Sequence, residues 1–157
     1  MCEYLAGSLR IRTPTTDALK KELKAEAQQH GYYLQLDDEI SLNKRKEILR
    51  IVSHEPPSIL FNITTKSTYD CIDETLNNEL EYFKKKPFEE IAFFKFVRRI
   101  FTITQPEKAV IIFVEGAETG WFPLKKRECL LNDFLAALYE FRDRHDYDVE
   151  GIYNIVL

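Results

Sequence analysis

Residues 87–103 read Pro87-Phe-Glu-Glu-Ile-Ala-Phe-Phe-Lys-Phe-Val-Arg-Arg-Ile-Phe-Thr-Ile103, with five phenylalanines, three isoleucines and a valine, and with Glu89, Glu90, Lys95, Arg98 and Arg99 as the only charges. A surface helix buries one apolar stripe, and this stretch is too densely apolar for that. It is read as a helix that most of the fold wraps around. Pro87 suits its first turn, where a missing N–H costs nothing, and Pro106 ends it.

Immediately downstream, Lys108 to Glu115 carries Val110-Ile-Ile-Phe-Val114 without interruption, the pattern of a central strand buried on both faces. Upstream, Tyr69, Ile72, Leu76, Leu80 and Phe83 recur every three or four residues, so a helix is expected from near Ser67 to Phe83. From Glu128 to Arg144, Leu130, Leu131, Phe134, Leu135, Leu138 and Phe141 form a broad helical stripe. Gly151 to Leu157 reads as a short strand or as an apolar tail docked on the core.

The first half of the chain is lighter in apolar residues. Leu9 and Ile11 alternate with Ser8, Arg10 and Arg12, giving a strand over Tyr4 to Arg12. Thr15 or Thr16 can cap a helix that buries Leu19, Leu23 and Ala27 and stops at Gly31. Tyr32 to Leu36, Glu47 to Val52 and Ser58 to Thr64 read as three further strands, with a polar loop from Asp37 to Lys46 and a proline-fixed link at His54-Glu-Pro-Pro57. The simplest assembly is an antiparallel meander with one face covered by helices. The class is therefore α+β: a single globular domain over residues 1–157, in which a mostly antiparallel sheet packs against about four helices.

A chain of 157 residues can hide roughly 70% of its unfolded surface, enough for one ordinary core. Twenty-six acids against 22 bases leave a net charge of -4, which opposes a sequence-independent grip on a polyanion unless bases gather on one face. The basic triplets at Lys44 to Lys46, Lys84 to Lys86 and Lys125 to Arg127 lie far apart in sequence, so nucleic acid is not the expected partner. Cys2, Cys71 and Cys129 are odd in number and form no CxxC, which fits a reducing compartment. The amino terminus has no signal-like run and no stretch resembles a membrane span, so a cytoplasmic location is expected.

Most chemistries fail on residue type and spacing. Asp146, Asp148, Glu150 and Gly151 match positions one, three, five and six of a calcium loop, but position twelve is Leu157 rather than a bidentate acid. His30, His54 and His145 are isolated and offer no zinc-binding grouping. The five glycines form no phosphate cradle, and Gly116-Ala-Glu-Thr-Gly120 carries Glu118, which would repel one. Cys71 and Cys129 sit beside apolar helix positions and read as small core or boundary residues. No metal and no cofactor are expected.

What remains is a surface. Asp143, Asp146, Asp148 and Glu150 against only Arg144 make a negative patch, and Trp121 with Phe122 occupy a predicted loop between Gly120 and Pro123. Exposed, such aromatics anchor interfaces; folded back, they would lid the core. The expected function is non-catalytic protein binding, in which an acidic surface covers a basic partner, as immunity proteins and antitoxins cover a toxin domain. The alternative is a small enzyme or ligand carrier whose pocket draws on Glu115, Glu118, Cys71 and His145. A third is a homo-oligomer in which Gly151 to Leu157 adds a strand across an interface.

Overall fold

The aromatic segment folds as a 3₁₀ turn over Phe88–Glu90 followed by an α-helix over Ala92–Thr104. The computed structural model describes residues 3–12, 14–52, 58–64, 88–115, 125–144 and 151–157. Within these, the strands are β1 (Glu3–Arg10), β2 (Tyr33–Leu36), β3 (Ser58–Thr64), β4 (Lys108–Glu115), β5 (Lys126–Leu130) and β6 (Gly151–Val156). The helices are α1 (Asp17–Gln29), α2 (Leu42–Ile51), α3 (Ala92–Thr104) and α4 (Leu131–Arg144). The chain is an α+β fold with a mostly antiparallel six-stranded sheet. The expected helix from Ser67 to Phe83 lies outside the described residues.

The sheet order is β2-β3-β1-β4-β6-β5, with every neighbouring pair antiparallel except β5 and β6. This is not the expected meander, because β1 inserts between β3 and β4 and makes them its two neighbours. The parallel β5–β6 pair is joined through α4, since strands pointing the same way need a crossover to return the chain. β6 is hydrogen-bonded on both sides, and among the described residues the edge strands of the sheet are β2 and β5.

Strand alternation divides the core in two. Leu5 and Leu9 of β1, Ile59, Phe61 and Ile63 of β3, and Ala109, Ile111 and Phe113 of β4 face one side, where α1, α3 and α4 cover them with Leu23, Ala27, Phe93, Phe96, Ile100, Phe134 and Leu138. α3 is buried around most of its circumference, leaving Lys95, Arg99 and Thr102 exposed. Tyr32 meets Phe93 edge-on at 5.1 Å and stacks near Phe96 at 6.2 Å, the offset arrangements that ring quadrupoles favour. Gln105, in the left-handed conformation at φ 42°, turns the chain out of α3 before Pro106.

The other sheet face carries a smaller cluster of Ala6, Ile40, Ile48, Val52, Leu60 and Ile112, and here the expectation for Glu47 to Val52 is overturned. That segment is the second half of α2, and the loop expected over Asp37 to Lys46 contains a 3₁₀ turn (Asp37–Glu39) and the start of the same helix. Asn43 to Glu47 are polar residues that a helix tolerates well, and Ile48 buries by helical period on the sheet. A second correction falls on Glu128 to Leu130, which belong to β5 rather than to the start of α4. Leu130 is therefore exposed on an edge strand and absent from the helical stripe. Among the described residues, no helix is long and apolar enough to cross a membrane.

Candidate functional site

Two segments were expected to make the binding surface, and both leave the described structure at the same end of the sheet. Glu115 ends β4, Lys126 begins β5 and Gly151 begins β6. Gly151 sits opposite Phe113, Lys126 sits opposite Ile152, and the Ile152 N–H donates to the Lys125 carbonyl at 2.8 Å. Gly151 is required there: at φ +153°, a Cβ would stand 2.5 Å from the Lys125 carbonyl oxygen. Trp121, Phe122 and Glu118 belong to the stretch between Glu115 and Lys125, and Asp146, Asp148, Glu150 and His145 to the stretch between Arg144 and Gly151. All seven lie outside the described residues, as does Cys71. Asp143 is in the last turn of α4 and Glu115 is the last residue of β4.

A second feature, absent from the sequence reading, lies on the sheet face that α2 shares. There Ser8 and Arg10 of β1, Ser58 of β3, Lys108 and Val110 of β4, Ile152 and Asn154 of β6, and Lys126 of β5 surround a hollow of about 150 Å³, closed at one side by Ile51 and Val52 at the end of α2. The register explains the gathering. Arg10 pairs with both Ser58 and Lys108, Ser8 with Val110, Val110 with Asn154, and Lys126 with Ile152, so alternate residues of five strands point to one place. Arg10, Lys108 and Lys126 are the cations among the described residues that line it. Glu107 lies beside two arginines, with Oε2 4.0 Å from Arg10 Nε and Oε1 2.8 Å from Arg12 Nε.

The thiol of Cys129 is only partly exposed on β5 and packs against the main core, as a boundary residue would. Burial pushes its pKa up from the ordinary 9.0, Asp133 adds to the rise, and Arg127 opposes it. A nucleophilic cysteine needs the opposite shift. Tyr153 behaves alike: burial raises its pKa, while the Arg127 guanidinium, which donates to the hydroxyl and lies 5.3 Å from the ring centroid, pulls it down. His30 is tied by Nδ1 to the Glu26 carbonyl at 2.7 Å and stacks on Phe96, so its ring is committed to packing. Among the described residues, no group of three His, Cys, Asp or Glu side chains could hold a metal ion.

Comparison of the chain with protein-family models, with curated proteins and with solved structures gives no match.

Proposed function

We propose that this protein is a non-catalytic binding domain of the cytosol that covers a basic protein partner, in the manner of an immunity protein or antitoxin, through an acidic surface. The observation that supports the reading is the side-by-side entry of the chain into β5 and β6 at Lys125 and Gly151. The strand register brings together the described ends of the two segments that hold Trp121 and Phe122 and that hold Asp146, Asp148 and Glu150, although Phe122 and Asp146 are 24 positions apart in sequence. Asp143 precedes the second segment at the end of α4. An interface that joins aromatic anchors to negative charge combines tight packing with charge-steered encounter.

The test is a comparison of variants on the natural companion. The tagged protein is purified from its native cell, and the same is done for D146N/D148N and for W121A. A basic companion that is retained by the wild type, and whose affinity falls and loses its salt dependence in D146N/D148N, supports the reading. A companion retained equally by all three proteins overturns it. So does turnover of a substrate by the purified chain that disappears on replacing Glu115, Glu118, Cys71 or His145.

A further inference from the structure

We infer that the groove between the outer edge of β2 and helix α1 is a docking site for an extended, uncharged peptide segment of a partner protein, which adds to the sheet as a further strand. This goes beyond the reading above and is independent of it: β2 and β5 are the two ends of the strand order, so the groove lies at the opposite edge from the entries into β5 and β6.

The first argument is a backbone pair that faces the groove. The Leu36 N–H donates to Glu39 Oε1 at 3.1 Å, so it is turned away from β3. In an antiparallel ladder residues two apart turn the same way, and the N–H and C=O of Leu34 therefore point to the outer edge as well. Tyr33 and Gln35, opposite Thr64 and Asn62, are the residues turned towards β3. Glu39 closes the edge at Leu36, whereas neither outward group of Leu34 makes a hydrogen bond among the described residues. Leu34 is only 5% exposed, and a buried backbone donor and acceptor are costly to leave unmade. A second extended backbone satisfies both at once by exchanging one N–H and one C=O with Leu34.

The second argument is the space in front of that pair. Lys24 and Gln28, one turn apart on α1, line a hollow of about 390 Å³ together with Tyr33, Leu34 and Gln35 of β2 and with Glu39. These six residues lie in one continuous described stretch. The volume falls among those of ligand sites, about 300–1,000 Å³, and is far larger than a single ion needs. An added strand draws its affinity from main-chain bonds, and the side chains that flank the edge choose its sequence.

The third argument is the chemistry of the walls. Lys24 and Glu39 are paired with each other, so their charges cancel. Gln28 is neutral and exposed, and Gln35 is neutral, its Oε1 accepting from Asn62 Nδ2 at 2.9 Å. A charged residue on the incoming segment would have to compete for a charge already paired, which favours an uncharged one. Tyr33 is 44% exposed at this edge, where a β-branched or aromatic neighbour on the added strand makes a favourable cross-strand pair.

The test uses the full chain and a capped five-residue peptide of alternating threonine and valine, which sets valine beside Tyr33 when its central residue faces Leu34. In the free chain at low concentration the Leu34 amide should exchange rapidly. Saturating peptide should slow that exchange about tenfold or more and shift the amides of Lys24, Gln28, Tyr33, Leu34 and Gln35 together. N-methylation of the central peptide residue removes the N–H that bonds the Leu34 carbonyl and should weaken binding about tenfold, while N-methylation of the adjacent residue, whose N–H points away, should cost far less. Q28W, at an exposed position of α1, should fill the groove and abolish binding; Y33S should weaken it several-fold, and K95Q on α3 should leave it unchanged. A Leu34 amide already protected in the free dilute chain, equal affinity for the two N-methylated peptides, or unchanged binding in Q28W overturns the assignment. So does Leu34 protection that appears only as protein concentration rises, which would give the edge to a second copy of the chain.

Discussion

Arg99 of α3 reaches across the helical layer to Glu26 of α1, donating from Nη2 at 3.0 Å and from Nε at 3.2 Å to the same carboxylate oxygen. The two residues are unequal: the Arg99 side chain is 46% exposed and that of Glu26 only 15%. Loss of the arginine therefore leaves a mostly buried carboxylate with the His30 ring 3.9 Å away, whereas loss of the carboxylate leaves a guanidinium that water can solvate. We expect R99Q to lower stability by about 1.5 kcal/mol and E26Q by about half as much. Urea denaturation of both variants checks this, and equal costs would show that Glu26 is hydrated well enough to need no partner.

Gly7 lies at the centre of β1, between β3 and β4. A Cβ there would stand 2.0 Å from the Val110 carbonyl oxygen and 3.0 Å from the Phe61 ring. The first of these is backbone, which cannot move without parting β1 from β4. Gly7→Ala should cost about 3 kcal/mol or more, measured as a drop in the urea midpoint at unchanged m-value. A variant within about 0.5 kcal/mol of wild type would mean that the two strands lie farther apart than described.

The aromatic helix and the strand after it were the most legible in sequence because their signals do not compete. Phe93 to Ile100 and Val110 to Val114 are dense enough in apolar residues that only burial explains them, and both proved central. In α2, Ile51 and Val52 gave a β-branched ending that outweighed the helix-forming Lys44, Arg45, Lys46 and Glu47, while tertiary packing of Ile48 decided for helix. In β5 the alternation of exposed and half-buried residues from Lys126 to Leu130 was hidden by the leucines that run on into α4. The hollow on the α2 side of the sheet had no local signal at all. Ser8 and Arg10, Lys108 and Val110, and Ile152 and Asn154 each look like ordinary alternation, and only the strand order brings them together.

The helical assignment of α2 has its own test at Arg50, an exposed residue in the last turn. A cation there faces the negative end of the helix dipole, so R50E should cost about 0.5–1 kcal/mol at low salt and less at high salt. A strand has no comparable end charge. Absence of any salt-dependent loss, followed by thermal melts at two ionic strengths, would argue against a helix ending at Ile51.

Cys129 and Tyr153 predict how the protein responds to alkali. Both have pKa values raised by burial above their ordinary 9.0 and 10.0, so in the folded chain each keeps its proton to higher pH than in the unfolded chain. Above about pH 9 the unfolded state binds fewer protons than the folded state, and stability must fall as pH rises through that window. Below it, these two groups contribute no slope. C129S should remove the early part of the decline and Y153F the later part, as read from urea midpoints between pH 8 and 11. The same environment sets thiol reactivity. Asp133 raises the Cys129 pKa and Arg127 lowers it, so D133N should speed and R127Q should slow carbamidomethylation of the Cys129 peptide by iodoacetamide at pH 8, followed by mass spectrometry. Identical rates in the two variants would mean that burial alone controls the thiol and that neither charge reaches it.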